Sequence, residues 1–325
     1  MHPAFSVIFL TTLIGLGQGL FLALYTGQVY SALDLLPVQD GRLFYGLGSA
    51  IALVLLVLGL IASVFHLGRP ERAWRAATQW RTSWLSREVI ALPAFMGLTF
   101  IYGVLHFMGW NPALAVVGDG FVIDLTLVVG LVATLSCFAL FLCTGMIYAC
   151  IRFLQEWATP LTVVNFVLLG GASGFTLATA FAAVSAPALI AFYGGWAIIL
   201  TLLALVTRAA TLIRNARLKY KSTVQSAIGV RHGQIRQTAQ GAMGGSFNTR
   251  EFFHGKTGAF LRSIKWIFLV LVFAVPVALV VLGLAATSPV VLALAVAVQY
   301  SGLLAERWLF FAQARHPQNL YYQAV

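Results

Sequence analysis

The stretch "LFYGLGSAIALVLLVLGLIASVF", residues 43–65, runs straight into "HLGRPERAWRAATQWRTSWLSRE", residues 66–88. The first segment carries no charged side chain and is long enough to cross a bilayer, for which about 20 apolar residues suffice. The second packs five arginines, two glutamates, a histidine and three tryptophans into the gap before another apolar run, "VIALPAFMGLTFIYGVLHF". A charged loop trapped between two such segments belongs at a membrane surface.

The rest of the chain agrees. Of its 325 residues 60% are hydrophobic and 9% charged, against roughly 25% charged in soluble domains, and the mean hydropathy is +0.92. Eight apolar runs are predicted as spans near residues 5–32, 43–66, 89–110, 121–150, 160–184, 190–213, 264–286 and 290–312. The expected fold is an all-α, eight-helix transmembrane bundle forming one domain over residues 1–325, with no separate catalytic module. The first run is too long for a signal peptide and no Lys or Arg precedes it, so it reads as a retained span.

Charge sorts the loops by side. With eight spans, 19 of the 20 Lys and Arg residues fall on the face holding both termini and the loops near 67–88, 151–159 and 214–263, leaving Arg42 for the other. Lys and Arg mark cytoplasmic loops, so the expectation is a multi-pass protein of the cytoplasmic membrane with both termini cytoplasmic. The basic segment 214–263, with Gly241, Gly244 and Gly245 at its middle, suits anionic membrane lipid or an acidic protein partner. The net charge of +11 is thereby placed at a membrane face, and no nucleic-acid partner is read from it.

Small-residue clusters, "GLGQG" at 15–19 and "GGASG" at 170–174, lie inside spans without a preceding strand. They read as close helix contacts, not a nucleotide loop. Cys137, Cys143 and Cys150 share the fourth span at spacings that fit neither a disulfide framework nor a metal site, and read as small core residues.

Ionisable groups at membrane depth are costly, so each marks a candidate site: His66, Glu88, Asp124, Glu306 and Arg307. Gln18, Asn165, Gln299 and Tyr300 are neutral polar residues within spans. Two histidines facing each other at one depth would be needed for a bis-histidine haem; His66 and His106 sit at opposite ends of their spans and the other four lie in loops or tails, so no haem and no metal are expected in this chain. His66 and Glu88 can instead carry protons, since imidazole titrates near neutrality and a carboxyl group at the edge of an apolar region can do the same. Reduction of a quinone takes up electrons and protons together and calls for hydrogen-bond donors in an apolar cleft, which His66, Glu88, the arginines and the tryptophans could supply. The alternative is that Glu88 pairs with an arginine and His66 caps a helix end.

"ASVFHLGRPERAW" followed by "SWLSREVI" resembles the signature of the dimethyl sulfoxide reductase anchor subunit family (DmsC type), membrane subunits of complex iron–sulfur molybdoenzymes. The match rests on His66, Leu67, Gly68, Pro70, Arg72, Ala73, Leu85, Ser86 and Glu88, with Arg307 near the end of the last span and the eight-span topology in agreement. The resemblance implies a quinone (ubiquinone or menaquinone) held near His66, Arg72, Trp84, Ser86 and Glu88, with His66 and Glu88 binding it and exchanging protons. It also implies a partner subunit with four iron–sulfur clusters and a molybdopterin catalytic subunit, both supplying the redox centres this chain lacks. Arg69, Arg72, Arg75 and Arg81 are expected to dock the partner, with Trp74, Trp80 and Trp84 as interface belt or quinone wall. Because the charge census turns that loop inward, the chain is most similar to the subgroup serving cytoplasmic sulfite:quinone oxidoreductases (SoeC type). A quinol-oxidising anchor of a dimethyl sulfoxide or related reductase is the alternative, and a secondary transporter a weaker one, since transporters favour broken helices and midplane sites.

Overall fold

The computed structural model describes residues 1–118, 121–236, 253–317 and 319; Gly241, Gly244 and Gly245 and the end of the C-terminal tail lie outside them. Eight long apolar helices account for most of the chain: α1 Phe5–Ala32, α2 Gly41–Val64, α3 Trp84–Met108, α4 Leu125–Ala149, α5 Pro160–Ser185, α6 Pro187–Ala216, α7 Gly258–Ala286 and α8 Pro289–Gln313. The eight-helix membrane bundle expected from hydropathy is the fold observed. α2 and α7 each contain a π-helical turn, at Gly41–Gly46 and Val270–Ala274.

α1 and α5 are the most buried helices, and glycine is the reason. A Cβ on Gly19 would overlap the Gly170 carbonyl, and one on Gly174 would overlap the backbone of Gly19. The two clusters "GLGQG" and "GGASG" thus face each other and let two backbones touch. In a membrane, where burial of apolar surface drives little association, such close van der Waals packing holds helices together. The other six helices surround this pair and turn apolar side chains such as Val54, Phe100, Leu135 and Val206 outward, as a lipid-facing surface requires.

Two local features depart from the sequence reading. The fourth apolar run does not start as helix at 121: Ala113–Val117 (β1) and Phe121–Asp124 (β2) form an antiparallel hairpin, with Val117 opposite Phe121 and Val116 opposite Val122. Asp-Gly between two runs rich in β-branched residues is a hairpin signal, and the sequence carries it at Asp119-Gly120, outside the described residues. Asp124 then caps α4, its carboxylate accepting from the Leu127 amide at 2.8 Å. Nor are all three cysteines core residues: Cys137 and Cys143 are buried, but Cys150 is exposed at the end of α4.

Distant parts of the chain meet on one face. The Met1 amino group donates to the Ala314 carbonyl at 2.8 Å, and Trp157, between α4 and α5, donates from its indole to the Phe310 carbonyl at 2.9 Å. Met1 and the end of α8 therefore share the face that carries the arginine-rich segment.

Candidate functional site

Between α2 and α3 the chain forms a ten-residue 3-10 segment, Pro70–Gln79, in which no residue is buried. Arg69, Arg72, Arg75 and Arg81 are all exposed or half-exposed. Their contacts are slight: Arg72 lies 3.8 Å from the exposed Glu71, and the Arg75 and Arg81 guanidiniums rest over the neighbouring Trp74 and Trp80 rings. Arg87 is different. It donates to the Trp80 carbonyl at 2.9 Å and the Arg81 carbonyl at 2.8 Å, and lies over the Trp84 ring at 4.2 Å. It ties the return of the loop to the first turn of α3 and so shapes the segment, a role that its place in the sequence does not reveal.

α3 begins at Trp84, where the Ser83 hydroxyl accepts the Ser86 amide. Serine at the N-cap satisfies one of the amides that a helix start leaves without an intrahelical partner. Starting there places Ser86, which is buried, on the inner side of the first turn. Glu88, two residues on and so on a different side of the helix, reaches α4: its carboxylate accepts a hydrogen bond from the Thr144 hydroxyl.

Glu88 and Thr144 line a cavity in the bundle's basic-face half, together with Gln18 and Gly15 of α1, Ser173 of α5 and Arg307 of α8. It offers about 20 Å³ to water, enough for a single molecule and far too little for a quinone ring. A buried ion cluster stands beside it. Glu306 lies 2.7 Å from Arg208 and 3.5 Å from Arg307, and all three side chains are essentially shut off from solvent. Arg307 also sits 3.8 Å above the Phe166 ring. Two guanidiniums share one carboxylate, so the cluster carries one surplus positive charge, and Glu88 lines the same cavity as Arg307. Arg208 lies inside the sixth apolar run, and the rule that flags Glu306 flags it too.

His66 is not part of this interior. It is exposed just beyond α2, and the partial loss of water around it draws its pKa below the usual 6.5. Among the described residues no hydrogen bond, ion pair or ring contact joins it to Glu88. The two residues that the sequence motif sets side by side are divided by the structure into an outer and an inner member. Asp124, the remaining acidic candidate, belongs to the opposite face with His106. Among the described residues no group of three or more His, Cys, Asp or Glu side chains could hold a metal ion.

With eight spans, a charged segment after the second and an inward glutamate opening the third, the comparison with known families is direct: the DMSO reductase anchor subunit (DmsC) family model matches residues 1–312. The chain belongs to that family. A sulfite dehydrogenase subunit of Allochromatium vinosum is 60% identical to it over 325 residues, all of both chains. The family assignment makes this a multi-pass membrane anchor.

Proposed function

We propose that this chain is the membrane anchor and quinone-reducing subunit of a sulfite dehydrogenase. Electrons from sulfite, oxidised at a molybdopterin subunit, pass through a four-cluster iron–sulfur subunit to quinone at this chain. The assignment to sulfite is supported by full-length similarity to a subunit of a sulfite dehydrogenase, and the assignment to quinone chemistry by Glu88. It is a carboxyl group drawn into the bundle from the first turn of α3, bonded to Thr144 and lining, with Arg307, a cavity with room for one water.

The ring does not fit the interior cavity. Its place in this reading is the lipid-facing margin outside it, between the exposed Phe65 and His66 at the end of α2 and the Trp84–Ser86 turn. Quinone, when bound, accepts two electrons and two protons. His66 on the water side and Glu88 on the inner side stand ready to hold those protons. Thr144, bonded to the Glu88 carboxylate, fixes its direction. Arg69, Arg72, Arg75 and Arg81 form the landing surface for the iron–sulfur partner, close to this margin.

The charge census supports a cytoplasmic position for this face. Oxidation of sulfite with water gives sulfate, two electrons and two protons on the same side from which quinone takes two, so turnover moves no net charge across the membrane. Vesicles that built a membrane potential from this reaction alone would contradict the orientation.

The central test is Glu88→Gln. The complex is expected to assemble, copurify with iron and molybdenum, and oxidise sulfite with a soluble acceptor at the normal rate. Quinone reduction should fall about 100-fold, the lower range for loss of a positioned proton carrier. Normal quinone reduction in the assembled variant would remove Glu88 from the mechanism. Sulfite failing to reduce quinone at all, with quinol driving reduction of a sulfoxide instead, would assign the chain to the reductase direction after which its family is named.

A further inference from the structure

At the face opposite the arginines the bundle opens a second polar space, of about 300 Å³, between the end of α1, the start of α2, the end of α3 and the start of α4. Behind it runs a hydrogen-bonded frame that includes two of its lining residues, Gln28 and Asp124. The Tyr102 hydroxyl donates to Gln28 Oε1 at 2.8 Å, Gln28 Nε2 to Thr126 Oγ1 at 2.6 Å, and the Thr126 hydroxyl to Asp124 at 2.9 Å. Against this frame stand two polar atoms left over. His106 Nε2 is buried without a partner, although its ring lies against both Tyr45 and Tyr102, at centroid distances of 4.8 and 4.5 Å. The Tyr45 hydroxyl, on a side chain only 4% exposed, lies near Ser31 but forms no well-made hydrogen bond. Buried polar atoms are nearly always satisfied, so two of them lining one cavity ask for a ligand that bonds to both.

Directly alongside is an apolar groove of about 340 Å³ between α2 and α3, bordered by Gly46, Gly103 and Phe107. Each helix serves both spaces with consecutive residues: Tyr45 then Gly46 on α2, His106 then Phe107 on α3. At its wall the two glycines let α2 and α3 pack closely, since a Cβ on Gly103 would come within 2.9 Å of Ser49 and one on Gly46 within 3.3 Å of Phe107. A polar pocket that takes a head, continued by an apolar channel on the lipid side, fits an amphiphile.

Charge narrows which one. Among the described residues no Lys or Arg lines the polar space, and Asp124 does. The neighbouring Arg42 is turned away, donating to the Phe107 carbonyl at 2.9 Å and lying over the Phe107 ring. A phosphate headgroup would meet a carboxylate and no cation; a neutral head with hydrogen-bonding oxygens meets a histidine, a tyrosine and amides. We propose that this pocket holds the head of a second isoprenoid quinone or quinol, with His106 and Tyr45 bonding one ring oxygen and the isoprenoid chain lying in the α2–α3 groove. His106 is 18 residues from Glu88 along one helix, roughly 27 Å at 1.5 Å per residue. The pocket is therefore a separate binding site in the opposite leaflet, and it does not depend on the role given to Glu88.

Photolabelling tests it. Membranes containing the full-length chain are irradiated with an azido-substituted short-chain quinone, with and without excess decylubiquinone, and the labelled peptides are mapped. Competed labelling is expected within 41–46 or 103–111. Tyr45→Phe and His106→Phe, which keep a ring in place, should each lower it about tenfold, the effect of one lost buried hydrogen bond. Glu88→Gln should leave it unchanged. Labelling confined to 65–88 overturns the proposal, as does labelling at the far end that both variants leave intact or that a photoactivatable phospholipid displaces. Loss of labelling at 65–88 with the far site retained would count against the Glu88 reading alone.

Discussion

Arg69, Arg72, Arg75 and Arg81 differ from Arg208 and Arg307 in surroundings more than in anything a sequence displays. The first four lie on a surface segment with no buried residue and hold nothing tighter than a 3.8 Å approach to Glu71. The other two are sealed inside the bundle, drawn to one carboxylate at 2.7 and 3.5 Å and laid over aromatic rings. Exposed ion pairs contribute little because water and salt screen them; buried charges are tolerated only when every partner is present. Surface arginines are thus free to meet another protein, while the buried pair is committed to Glu306 and the rings around it. Arg87, with two carbonyls and a tryptophan ring, stands between the two conditions.

The largest effect should come from Glu306→Ala, which leaves two buried guanidiniums uncompensated. A destabilisation of about 3–5 kcal/mol is expected, read as a collapse in the yield of membrane-integrated protein or a steep fall in unfolding temperature in detergent. A loss below about 1 kcal/mol would mean that water reaches the cluster. The triple replacement Arg208→Met, Glu306→Leu, Arg307→Met sharpens the point. It removes charge without leaving any unpaired and should come within about 2 kcal/mol of the parent.

That cluster also marks where sequence reading stops. Hydropathy exposes eight spans because a membrane helix needs an unbroken apolar run, and the glycine clusters are visible because close backbones need small residues. Glu88 is visible as a carboxyl at a span's edge. Its bond to Thr144 is not, because those residues are 56 positions apart and which helices become neighbours is not written in local periodicity. Arg208 is legible yet easily passed over: in "ALVTRAATLI" it looks like one more basic residue approaching a loop, though a helical turn of apolar residues still follows it. His66 and Glu88 are close in the motif, yet a 3-10 segment and a helix start intervene and leave one outside and one inside.

Arg87→Ala should have a middling effect. Two charge-assisted hydrogen bonds and a ring contact are lost at a half-exposed site, a destabilisation of about 1–2 kcal/mol that is local to the loop. Hydrogen exchange at residues 80–87 should quicken while the buried centre of α3 stays protected. If protection across the whole of α3 fell together, Arg87 would belong with the buried arginines after all.

The smallest effect on stability and the sharpest on assembly should belong to Arg72→Glu, Arg75→Glu, Arg81→Glu. None of these side chains is buried, so the unfolding free energy should move by less than about 0.5 kcal/mol. Reversing three charges on one landing surface should nevertheless cut retention of the iron–sulfur partner severely. The parent complex should loosen over the same range when salt is raised, because exposed charges are screened within about 8 Å at physiological ionic strength. Retention of the partner by the triple variant would move the docking surface to the basic segment near 214–263. The exposed arginines would then be a lipid-facing rim, and the division between structural and recognition arginines would have to be drawn elsewhere.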